Sequence, residues 1–138
     1  MNARSRELLE AGRVAHLATA DQYARPHIVP IVFAWDDADL YSPIDRKPKS
    51  VQDWHDLRRV RNIETNGRAS VVVDEYAEDW TRLVWVRLDG TAEILTAGPA
   101  RNRGRKLLEA KYAQYAALPL DDAPIVHIAI EHVSEWHG

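Results

Sequence analysis

Six cationic side chains crowd one stretch of the sequence, YSPIDRKPKSVQDWHDLRRVRNIETN from Tyr41 to Asn66. They are Arg46, Lys47, Lys49, Arg58, Arg59 and Arg61. The whole chain carries a formal net charge of −3, so this local excess of positive charge asks for a reason. A phosphate is held where backbone N–H groups, hydroxyls and cations converge from a loop or a helix N-terminus. Ser42, Arg46, Lys47, Lys49 and Ser50 offer those groups just ahead of a helix-forming segment. The same residues also suit a solvated charged loop, with Asp45, Asp53 and Asp56 as counter-charges. Taken alone, they leave both readings open.

Other groups are less suggestive. Of the five tryptophans, Trp80, Trp85 and Trp136 come late, and Trp85 stands two residues before Arg87 on one strand face. An aromatic beside a guanidinium suits a flat anionic ring, although packing or a subunit contact would use the same residues. The six histidines are scattered without an HxxxH or HExxH pair, so no zinc site is expected. His127 and His132, five apart on a strand, face opposite ways. Asp74, Glu75, Glu78 and Asp79 read as a solvated turn. There is no cysteine and no GxSxG, P-loop, GxGxxG or EF-hand pattern. Any redox chemistry would then come from a bound cofactor.

The elements that must position these groups follow from patterning. A chain of 138 residues suits a single domain spanning residues 1–138. The polar start MNARSRELLEAG has no apolar signal-peptide core, and no apolar run approaches the ~20 residues of a membrane span. A cytoplasmic protein is expected, and the acidic balance argues against nucleic acid as a partner. Helices are predicted over Ala3–Ala11, Val51–Thr65 and Ala100–Ala116. Glycines at Gly12 and Gly67 suit positive-φ ends. Strands are predicted over Arg13–Thr19, His27–Trp35, Leu40–Ile44, Arg68–Tyr76, Trp80–Leu95 and Pro124–Val133. His27–Trp35 (HIVPIVFAW) does not alternate, so it must be covered on both faces. Pro30 marks it as an edge or a bulge. Asp89-Gly90 signals either a hairpin or a bulged, bent strand. Short polar turns between strands predict an antiparallel barrel rather than a parallel sheet.

The order RVAHLATAD, RPHIVPIVFAWD, LYSPIDRKPKS, LRRVRNIETNGRASVVVDEY and DWTRLVWVRLDGTAEIL resembles the pyridoxamine 5′-phosphate oxidase-like (PPOX) split β-barrel superfamily. Within it the sequence is most similar to the actinobacterial branch of F-420-dependent oxidoreductases. The resemblance runs from about Gly12 to Leu95. It implies a mainly-β, α+β split barrel that forms a homodimer with cofactor sites at the subunit interface. It implies that Ser42, Arg46, Lys47 and Lys49 hold the cofactor phosphate, with Arg61 and Asn62 assisting. The isoalloxazine-like ring would lie along His27, Val29, Pro30 and Ile31 near Thr19. Trp85, Arg87 and Trp136 would reach in from the second subunit. The R–LLK pattern of the FMN-dependent oxidases is missing, which favours the deazaflavin F-420, a phosphate bearing an anionic oligoglutamate tail. The expected activity is hydride transfer to an unsaturated or quinone-like small molecule. FMN chemistry on the same fold, or a non-catalytic flavin, deazaflavin or haem carrier, are the alternatives.

Overall fold

The computed structural model describes residues 1–44 and 53–138. The anticipated phosphate ligands Arg46, Lys47 and Lys49 therefore lie outside the described residues. Helix α1 (Ala3–Ala11) begins where the Asn2 side chain accepts a hydrogen bond from the Ser5 amide at 2.8 Å. Gly12 ends it, but not by a positive φ: its φ is −58°. Glycine is needed there for space, because a Cβ would fall 2.5 Å from the Leu8 carbonyl oxygen.

Seven strands follow: β1 (Ala15–Ala20), β2 (Pro26–Ile31), β3 (Ala34–Asp36), β4 (Asp39–Pro43), β5 (Arg68–Glu75), β6 (Val84–Leu95) and β7 (Ile125–His137). Helix α2 (Arg58–Thr65) lies between β4 and β5, and α3 (Pro99–Lys111) between β6 and β7. All strand pairs are antiparallel, in the order β2-β1-β5-β6-β7-β4-β3. The two edge strands, β2 and β3, are consecutive in sequence, with only Val32 and Phe33 between them. A sheet whose two edges are tied by two residues has to curl round until those edges meet. That is the expected split barrel, in an α+β chain. Among the described residues no helix is long and apolar enough to cross a membrane.

Several expectations change. His27–Trp35 is two strands rather than one, broken at Val32–Phe33. Pro30 does sit on an edge strand, where its missing N–H costs nothing. Only one face of β2 is covered within this chain: Ile31 is buried, whereas Ile28 is 66% exposed. The second helix starts at Arg58, not Val51. A 3-10 turn, Trp54–Asp56, precedes it, and Leu57 is extended (φ −63°, ψ 133°) and separates the two. The helix end at Asn66 has φ −138°, so neither Asn66 nor Gly67 provides a left-handed cap. Asp89-Gly90 is a bulge inside one continuous β6, where the register with β7 shifts. Gly90 is required there because a Cβ would sit 2.1 Å from the Ala129 carbonyl oxygen. The strand expected from Trp80 begins at Val84, because Asp79 caps a 3-10 turn over Trp80–Arg82. The last helix stops at Lys111 and the last strand runs on to His137.

The main core lies inside the curled sheet, where Leu17, Val71, Leu88 and Ile128 meet Leu9 of α1 and Val60 of α2. Each such fully buried side chain contributes roughly 1.5–3 kcal/mol. A second core, with Tyr41, Leu108, Tyr112 and Ile125, seats α3 against β4 and β7.

Candidate functional site

The pairing of β1 with β2 sets Thr19 opposite His27, Leu17 opposite Val29 and Ala15 opposite Ile31. Direct partners share a face, so these side chains all turn toward the interior. Helix α2 closes that end. Val60 and Ile63 are buried and anchor it, which carries Asn62 inward and leaves Arg61 exposed. The Asn62 amide, 2% exposed, donates to the Thr19 hydroxyl at 3.0 Å. Such a bond contributes about 1 kcal/mol net, and orphaning one partner costs about 1–3 kcal/mol. His27 is half-buried beside this pair. Its Nδ1 is buried with no hydrogen-bond partner among the described residues. Most buried polar atoms are paired, so this nitrogen is a natural contact for a bound molecule.

Thr19, His27 and Asn62 thus come together, with Val29 on the same side. The other ring residues separate from them. Ile31 is a core residue, and Pro30 points to the opposite face, paired with His16. Ser42 is 1% exposed and donates its hydroxyl proton to the Val32 carbonyl at 2.8 Å, so it braces the β2–β3 junction. Arg58 approaches Asp21 at 4.0 Å, whereas Arg61 has no ion pair among the described residues.

A second group occupies the outer face of the sheet. Trp85 pairs with Trp136, Arg87 with Ser134 and Asp89 with His132 across β6 and β7. The Arg87 guanidinium lies 3.3 Å from both the Asp89 carboxylate and the Ser134 hydroxyl. Ser70, opposite Asp89 on β5, donates to that carboxylate at 2.5 Å. The Ser70 hydrogen bond holds the Asp89 carboxyl below its ordinary value, against the opposing effect of burial, and the Arg87 charge adds to it. So Trp85, Arg87 and Trp136 do share one face, but the guanidinium is already engaged. The network of Ser70, Arg87 and Asp89 was missed from sequence. The i, i+2 spacing of Arg87 and Asp89 was its visible half; the Ser70 contact depends on strand register. A cleft of about 430 Å³ opens at the bulge beside Ser70, Asp89 and His132, and reaches β1 at Thr19.

A family model described as "Pyridoxamine 5'-phosphate oxidase" matches residues 1–137. A FAD-binding protein of Mesorhizobium loti is 25% identical over 98% of this chain and 94% of its own, with a TM-score of 0.71. A conserved hypothetical protein of Mycobacterium tuberculosis superposes with a TM-score of 0.77, at 16% identity over 99% of this chain and 85% of that one. HutZ, the heme storage protein of Vibrio cholerae, gives a TM-score of 0.73 at 17% identity, over 96% and 90% of the two chains. Comparison with curated proteins by sequence gives no match.

Proposed function

The chain belongs to the pyridoxamine 5′-phosphate oxidase family, and on that premise we propose that it is a cytoplasmic F-420-dependent oxidoreductase, working as a homodimer with its cofactor sites at the subunit interface. The observation that carries the reading is the run of cations in the sequence from Arg46 to Arg61, of which Arg61 lies on α2 at one end of the barrel. Arg61 stands exposed without an ion pair among the described residues, next to Asn62 in the buried Thr19–Asn62 contact. Arg46, Lys47 and Lys49 precede the same helix in sequence. A phosphate with an oligoglutamate tail needs several cations, and each charge-assisted contact adds grip and salt dependence. The orphan Nδ1 of His27 fits a cofactor ring, which brings both donors and acceptors to it.

When bound, F-420 supplies the hydride for an unsaturated or quinone-like acceptor. The chain's own residues do the rest. Arg46, Lys47, Lys49 and Arg61 grip the anionic end. Thr19 and Asn62 hold β1 against α2, and His27 and Val29 orient the ring and keep water out. Trp85 and Trp136 of the second subunit flank the acceptor side. The apolar surface left bare on one chain supports the dimer: Ile28 is 66% exposed, Val14 50% and Trp136 46%.

A second reading, a flavin-binding protein using FMN or FAD, is favoured by the FAD-binding relative from Mesorhizobium loti at 25% identity. Fluorescence titration of the purified chain with F-420 and with FMN separates the two. Micromolar binding of F-420 without FMN binding supports the proposal. A protein that purifies yellow with bound flavin overturns it. Binding without turnover across a panel of quinones and enones would make it a carrier. Light scattering should give twice the chain mass; a monomer would remove the shared site.

A further inference from the structure

At the bulge the two longest strands fall out of step. Asp89 pairs with His132 and Gly90 with Ile130, so Glu131 of β7 is left without a partner on β6. An extra residue breaks the alternation of a strand and re-aims the side chains beside it. Glu131 and His132, neighbours in sequence, therefore both line the cleft of about 430 Å³ on the outer face, with Arg68, Ser70, Asp89 and Thr19.

The charged groups of that cleft engage one another, except one. Glu131 accepts from Arg68 at 3.1 Å and from Thr91 at 3.0 Å. Asp89 accepts from Ser70 and from Arg87. His132 is exposed and has no hydrogen bond or ion pair among the described residues. The Asp89 carboxyl is held below its ordinary value first by the Ser70 hydrogen bond, against burial, and the charges of Arg87 and His132 add to this. Asp89 thus stays ionised beside the imidazole and favours its protonated form, while no hydrogen bond ties up that proton.

We propose that this cleft seats the polar end of the hydride acceptor and that His132 is its proton donor. The inference rests on the F-420 reading and supplies what hydride transfer there still needs, a source for the proton. The cleft reaches β1 at Thr19, the residue beside which that reading sets the ring, and Trp85 and Trp136 are not among its walls. They remain free to close the site from the second subunit. A hydride reaching an unsaturated carbonyl from the reduced deazaflavin forms one C–H bond and breaks the C=C π bond. The displaced electron pair moves to the carbonyl oxygen, the oxygen takes a proton from the His132 imidazolium, and water returns a proton to the ring.

The first test needs no cofactor. 4-Nitrophenol, whose phenolate resembles the oxyanion that forms, is titrated into the full chain near pH 6, where an ordinary imidazole is largely protonated. Its absorbance tells phenolate from phenol. The parent should bind the phenolate about fivefold more tightly than the phenol. His132→Gln, at an exposed position, should fold normally and lose that preference, and His132→Lys, which restores a cation, should regain it. The second test adds F-420: His132→Gln should bind it as the parent does and reduce an enone about a hundredfold more slowly. No preference for the phenolate, a preference that survives His132→Gln, or unchanged turnover in that variant would each overturn the proposal. A parent that fails to bind F-420 would instead sink the cofactor reading, and the phenolate result would still decide the site.

Discussion

Removing one oxygen atom, by Tyr112→Phe, should loosen the point where the sheet's two edges meet. The Tyr112 ring is buried at 5% exposure in the second core. Its hydroxyl accepts from the Phe33 amide at 3.1 Å, and lies 2.8 Å from the Arg13 carbonyl and 3.1 Å from the Phe33 carbonyl. Burial pushes the phenol's pKa up, so it keeps its proton, and that single proton serves the carbonyls. Phe33 lies in the gap between β2 and β3, where no ladder partner is available. Phenylalanine would keep the ring packing but leave a buried N–H unpaired, at about 1–3 kcal/mol, and lose an O–H···O bond of about 1 kcal/mol. The Phe33 carbonyl is still met by the Lys111 ammonium at 2.9 Å, which limits the damage. The net expectation is a loss of about 3 kcal/mol, or a fall in Tm of roughly 10 °C for a chain of this size. Urea unfolding followed by tryptophan fluorescence should show a lower midpoint with an unchanged slope. A loss under about 0.5 kcal/mol, the range of surface substitutions, would refute the reasoning, because it would mean that the Phe33 amide finds another partner.

Three further outcomes are expected. Lys47→Ala, Lys49→Ala and Arg61→Ala should each weaken F-420 binding about fivefold with no change in Tm, as read by fluorescence titration; unchanged affinity in all three would move the phosphate site elsewhere. Burial, with a smaller contribution from the Arg13 charge, lowers the Lys111 ammonium from 10.5 to about 8. The unfolded chain then holds this proton more tightly than the folded one, so the parent should gain stability relative to Lys111→Met as pH rises from 8 toward 10.5. Parallel urea midpoints across that window check it, and a constant gap would contradict it. Gly90→Ala places a Cβ against the Ala129 carbonyl and should cost about 2–4 kcal/mol in thermal unfolding; a variant as stable as the parent would show that the bulge yields.

What could be read from the sequence was what depends on local pattern. The strand and helix types, the narrowing of Pro30 to an edge or a bulge, and the narrowing of Asp89-Gly90 to a hairpin or a bulge all follow from residues a few places apart; which alternative holds came from the sheet pairing. The break at Val32–Phe33 was not legible, because HIVPIVFAW is apolar throughout and nothing local interrupts it. At the break the Phe33 amide bonds to the hydroxyl of Tyr112, far along the chain, rather than to a ladder partner. Gly12 was recognised as a helix end for the wrong physical reason, since it is crowding against Leu8 that excludes a side chain there. In the site, pairing Thr19 with Asn62 needed the packing of α2. The engagement of Arg87 needed register, and that changes the charge of its surroundings from positive to neutral. Ser42 looked like a phosphate ligand because its neighbours are cationic, whereas its own hydroxyl is spent on Val32.

The join between β2 and β3 also has a consequence for synthesis on the ribosome. These strands emerge together and early, yet the order of the sheet sends them to opposite ends. The β3–β4 hairpin forms locally, but Tyr41 of β4 has its partner in His127 of β7, which is translated after the other six strands. Until β7 is released, β4 and β6 each present a bare, partly apolar edge to the surrounding solution. Closure is therefore a late event of high contact order. A chain truncated within β7 should be a nascent fragment prone to edge-to-edge aggregation and in need of chaperone protection, rather than a smaller version of the same protein.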